Sequence, residues 1–171
     1  TRNETDTIKT RVAKTIEQSL RDDPYAQEAF SKLLRLAIEE AEKHFDYPLK
    51  QYLLFKEFEE QVEARRLHEI PDVFQGNRHA QAYFGILKKV LPETLHDGLT
   101  ESEQMAFDMD AAITLAVAEN SINPQNIEAD IRKKLLPMMF QACRSIGGGV
   151  DQAKIMVEMV VQVVRLGWKA V

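Results

Sequence analysis

The sequence predicts an all-α protein, a bundle of about seven helices. Two observations carry that expectation. Apolar residues recur at three- and four-residue spacing through nearly the whole chain, and no alternating apolar run of strand length bounded by turns occurs. The breaks between these periodic runs carry helix-start signals, a capping residue followed by proline or by a glutamate three residues on.

The first helix is read from Ile8, Val12, Ile16 and Leu20, one apolar stripe among charged neighbours. Asp23 as N-cap and Pro24 in the first helical position open a second helix. Its stripe is Ala26, Phe30, Leu33, Leu34, Ala37, Ile38 and Ala41. In "FDYPLK", Pro48 opens a third. There Leu49, Tyr52, Leu53, Lys56 and Glu60 share one side, while Phe55, Phe58 and Val62 lie around the cylinder. Aromatic residues at this spacing read as an internal helix with two neighbours ahead of a partner-binding helix.

Pro71 and Gly76 mark "LHEIPDVFQGN" as a connection. Ala80, Tyr83, Phe84, Leu87, Val90 and Leu91 define a fourth helix, stopped at Pro92. Thr100 and Glu103 form a capping box for a fifth, running through Met105, Met109, Ala112, Ile113, Ala116 and Val117. The loop at 92–99 is the expected seam between two helical subdomains, 1–95 and 100–171. A sixth helix follows "NSINPQN" with Ile127, Ile131 and Leu135, and Pro137 is expected to kink or split it. The last helix carries Ile155, Met156, Met159, Val160, Val163 and Val164, a broad apolar face for the centre of a bundle or for a partner.

Composition limits the function. A chain of 171 residues, 44% hydrophobic, buries a real core. With 22 Lys and Arg against 27 Asp and Glu, the net charge of -5 disfavours a free-standing nucleic-acid binder. A single cysteine, Cys143, forms no internal disulfide and reads as a buried thiol in a reducing cytosol. No apolar run is long enough to cross a bilayer, and "TRNETDTIKTR" has charges where a signal peptide is apolar, so a cytoplasmic location is expected. The start at Thr1 suggests a piece of a larger protein.

Each chemical motif fails on a particular residue. "HEIPD" begins like a zinc-protease helix, but Asp72 stands where the second histidine belongs and Pro71 breaks the helix. Of the four histidines only His96 has a glutamate, Glu93, three residues before it, and a di-metal bundle needs two such pairs. No lysine has a glutamate two residues before it, as a restriction-type nuclease requires. Gly147, Gly148 and Gly149 follow no strand and precede no Lys-Ser or Lys-Thr, so they read as a turn between helices. No catalytic, cofactor-binding or metal residue is therefore assigned. Arg132, Lys133 and Lys134 read as a solvated face.

The strings "DDPYAQEAFSKLLRLAIEEAEKHFDYPLKQYLLFKEFEEQVEARRLHEIPD", "NRHAQAYFGILKKVLPE" and "GLTESEQMAFDMDAAI" resemble the C-terminal region of the R (restriction and motor) subunits of type I restriction-modification enzymes. The likeness covers most of the chain and is strongest from Asp22 to Glu93. Such subunits are ATP-dependent site-specific deoxyribonucleases that join a PD-(D/E)xK nuclease domain to two RecA-like motor domains using ATP and Mg. A helical region and a C-terminal part follow, the latter thought to attach the subunit to the methyltransferase core of modification and specificity subunits.

The resemblance implies a non-catalytic docking domain, with no cofactor of its own, whose partners are those two subunits, the rest of the R subunit and duplex DNA passing nearby. Arg65, Arg66, Tyr83, Lys88 and Lys89 are the expected partner or DNA contacts, and charge reversal at the four basic residues is expected to leave folding intact. A DNA-contacting module of the motor and an unrelated self-associating helical scaffold stay open as alternatives. Trp168 has no assigned role.

Overall fold

The computed structural model describes residues 2–44, 47–90 and 100–168. They contain seven α-helices and no strand: α1 (Arg2–Ser19), α2 (Pro24–His44), α3 (Pro48–Glu63), α4 (Arg78–Val90), α5 (Glu101–Glu119), α6 (Ile127–Arg144) and α7 (Val150–Gly167). Two 3-10 turns, Asp72–Phe74 and Pro124–Asn126, precede α4 and α6. The start signals of α2, α3 and α5 act as the sequence predicts, whereas Pro124 opens the 3-10 turn before α6 and no side-chain cap bond forms there. Asp23 Oδ1 accepts the Ala26 N–H at 3.0 Å, and both bonds of the Thr100–Glu103 box form, at 3.1 and 3.2 Å. Helix α6 runs through Pro137 as one element, so the proline does not split it.

The chain divides into two compact units, residues 1–75 and 76–171. The boundary falls at Gln75–Gly76 rather than in the loop near 92–99, because α4 packs on α5 and α7. That loop, with the predicted stop at Pro92 and Leu91, His96 and Glu93, lies outside the described residues.

In the first unit α1 lies mainly on α3, and both touch α2. The predicted α1 stripe of Ile8, Val12, Ile16 and Leu20 is buried throughout. Phe55, Phe58 and Val62 of α3 and Phe30 and Leu34 of α2 are buried as well, with Phe30 edge-on to Phe58 at 6.0 Å. Helix α3 therefore has two neighbours and a core face.

In the second unit each helix packs on the next, and α7 returns to α4. Residues 80–87 of α4 are all buried, so this helix is inward on more than one side. Ile131, Leu135 and Met139 of α6, four residues apart, are fully buried. The three glycines make the α6–α7 turn: Gly147 takes φ +76°, and the Gly148 N–H donates to Cys143 O at 2.7 Å. A Cβ on Gly148 would overlap Gln152 Oε1 and stand 3.2 Å from Cys143 Cβ, whereas one on Gly147 or Gly149 would meet nothing within 4 Å. Gly147 supplies the left-handed turn and Gly148 the close approach between the two helices.

Leu135→Ala or Met139→Ala is expected to cost about 2–5 kcal/mol in denaturant unfolding, whereas Ile122→Ala, at a side chain 91% exposed, should stay within about 0.5 kcal/mol. Equal effects at buried and exposed positions would contradict this packing.

Candidate functional site

The five residues expected to contact a partner divide between the two units: Arg65 and Arg66 belong to the first, Tyr83, Lys88 and Lys89 to the second. Tyr83 has no exposed surface and is part of the α4 core, so it does not form a surface contact. Lys89 is exposed and Lys88 half-buried at the C-terminal turn of α4, where positive charge complements the helix dipole. Arg66 is exposed and donates to Gln75 Oε1 at 3.2 Å.

Arg65 has a structural role. It follows the C-cap Ala64 and adopts φ +53°, the left-handed position that usually goes to glycine. The Arg65 N–H donates to Val62 O and the Arg66 N–H to Gln61 O, which is a Schellman closure of α3. A non-glycine residue there costs about 1–2 kcal/mol. The side chain offsets that cost by donating to Asp22 Oδ1 at 2.8 Å and to Ser19 O at 3.0 Å, with both ion-pair side chains 11% exposed. Arg65 thus ties the end of α3 to the α1–α2 turn, and reversing its charge would disturb folding, contrary to the expectation from sequence.

A second ionic tie lies along the same helix pair. Glu59 falls on the core face of α3 beside Phe55, Phe58 and Val62, and is 6% exposed. Its carboxylate accepts two hydrogen bonds from Arg11 of α1, one of them from Nη2 at 2.9 Å, and Lys56 Nζ lies 3.4 Å away. The Arg11 hydrogen bonds hold the Glu59 carboxyl below the usual carboxylate range, outweighing the opposite push from burial.

In the second unit, Arg165 pairs with Glu128 and Arg132 with Glu158 across α6 and α7. Lys134 joins Asp130 and Glu119. Of the predicted basic run, Arg132 and Lys134 are therefore held by acids.

Cys143 is buried with Sγ 3.4 Å from Met156 Sδ, and burial raises its pKa. His68 is exposed, and His79 stacks on Trp168 with ring centroids 5.0 Å apart, which gives Trp168 a place at the end of α7. Among the described residues no group of three or more His, Cys, Asp or Glu side chains is placed to hold a metal ion. No helix among them is long and apolar enough to cross a membrane.

Exposed apolar side chains occur on several helices, including Leu36 of α2 and Leu115 of α5, and α3 and α7 each carry a row. On α3, Leu49 is 64% and Leu53 55% exposed, on the side opposite Phe55 and Phe58, and Tyr47 at the N-cap is 71% exposed. On α7, Ile155 is 63% exposed. Neither row includes any of the five residues first singled out. Leucines four apart outside the core face were the signal available in the sequence.

The chain matches no protein-family model, no curated protein and no solved structure.

Two measurements check these ties. Arg65→Ala should cost about 1.5–3 kcal/mol by leaving Asp22 without its cation, and Arg65→Gly should cost less because glycine relaxes the left-handed backbone. Arg66→Ala should stay near wild type. Because the folded-state pKa of Glu59 is depressed, its contribution is present above the unfolded carboxylate range and lost as pH falls through the folded value. The stability gap between wild type and Glu59→Gln should therefore be wide at neutral pH and narrow on acidification; a pH-independent gap would contradict the assignment.

Proposed function

We propose that this chain is a helical docking module of the R subunit of a type I restriction-modification enzyme, joining the motor and nuclease to the methyltransferase core of modification and specificity subunits. The reading starts from the family-characteristic strings between Asp22 and Glu93. The observation that carries it is the outward pair Leu49 and Leu53, with Tyr47 exposed at the N-cap, apolar surface in solvent on a helix whose opposite face is already core. Apolar anchors four apart on a helix fit a groove on a protein partner. The net charge of -5 also favours protein over duplex DNA.

In this reading the chain carries no catalytic residue and binds no cofactor. ATP and Mg belong to the motor domains of the parent subunit, and the complex is cytoplasmic. Of the five residues first singled out, Arg66 and Lys89 are the two that are exposed.

The test is capture of the methyltransferase complex from the same source by the purified chain, with duplex DNA alone as control. Capture is expected without appreciable DNA binding, and Leu49→Glu with Leu53→Glu should weaken it at least about tenfold while leaving the unfolding transition in place. DNA binding without capture would move the function to the motor's DNA track, and undiminished capture by the double variant would remove α3 from the interface.

A further inference from the structure

Helix α7 is two-sided in a way that its core role does not require. Its inner face buries Ala153, Met156, Val157, Val160, Val161, Val163 and Val164. On the outer face Ile155 is 63% and Leu166 39% exposed, with Met159 half-buried and Gln162 exposed between them. The positions 155, 159, 162 and 166 alternate four- and three-residue steps, the spacing of a coiled-coil seam. A shallow depression of about 410 Å³ opens among Lys154, Ile155, Glu158, Met159 and Gln162. Ile155, Glu158, Met159 and Gln162 stand at i, i+3, i+4 and i+7, the four-residue diamond that receives a side-chain knob from a facing helix.

Charge selects the occupant. Glu158 and Arg165 lie one heptad apart on the same edge of the seam, each still partly exposed, with side chains 52% and 44% accessible. In a two-fold antiparallel helix pair an edge meets itself reversed. Glu158 of one copy then comes beside Arg165 of the other, and the reciprocal contact forms by symmetry. Ile155 falls opposite Leu166, and Met159 opposite Gln162. A parallel pair would set this edge against the one carrying Met156 and Val163, which are buried within the chain and offer no charge. The intrachain partners Arg132 and Glu128 add one charge of each sign, so the edge stays neutral and does not repel its own copy.

We propose that two copies of this chain associate antiparallel through the outer face of α7, with Ile155, Met159, Gln162 and Leu166 as the seam and Glu158 and Arg165 paired across it. The seam spans about three helical turns, so the dimer is weak and concentration-dependent. Polar Gln162 sets the register at some cost in affinity.

Sedimentation equilibrium of the full chain from micromolar to millimolar concentration tests this. A monomer–dimer equilibrium is expected, with Ile155→Glu raising the dissociation constant at least about tenfold and Gln162→Leu lowering it. Both sites face solvent, and circular dichroism of each variant should show unchanged helicity. Orientation is read by mixing an Ile155→Cys chain with a Leu166→Cys chain under mild oxidation, the buried Cys143 staying silent. Predominant 155-to-166 crosslinks are expected. A chain that is monomeric throughout, a dimer indifferent to Ile155→Glu, or predominant 155-to-155 crosslinks would each overturn the proposal.

Discussion

A buried carboxylate shapes the first unit. Glu59 occupies a core-face position on α3, and an ionised group there is tolerated only if a cation and hydrogen-bond donors meet it. Arg11 meets both needs through two hydrogen bonds. Because Arg11 lies on α1, the pairing also fixes how α1 and α3 slide along one another. The far end of the same interface is closed by Arg65, which takes a backbone conformation unfavourable for arginine and returns to the α1–α2 turn through Asp22 and Ser19. Apolar stripes bring the helices together, and these two ties select one register.

The same use of charge has a consequence for function. Arg11, Arg65, Arg132, Lys134 and Arg165 are all engaged by carboxylates of the chain. Each of these cations has an acid of its own chain beside it, which suits a module that meets protein surfaces better than one that tracks phosphates. What the two units turn outward includes a set of aliphatic side chains on α3 and α7. These helices contribute a core face as well.

Much of the architecture could be read from the sequence because it rests on local rules. The α1 stripe, the Asp23 and Thr100 caps, the proline starts and the glycine turn each depend on residues within a few positions of one another. The unit boundary was not legible in the same way. The run after Glu93 has the stronger loop composition, and the choice of α4 to pack with α5 and α7 is a tertiary preference that no short window contains. Arg65 misled for a related reason. A basic pair at a helix end reads as solvated, whereas its partner Asp22 lies 43 positions away. Tyr83 belonged to a correctly read stripe, and that stripe buries it. For Glu59 a signal did exist, an acid in phase with Phe55, Phe58 and Val62.

The most direct measurement is hydrogen exchange on the chain alone and in the presence of the methyltransferase complex. The account predicts slowed exchange concentrated over residues 47–57, with the α1 stripe and the α6–α7 turn unchanged. Exchange over 47–57 that is unaffected by a saturating methyltransferase complex would contradict it.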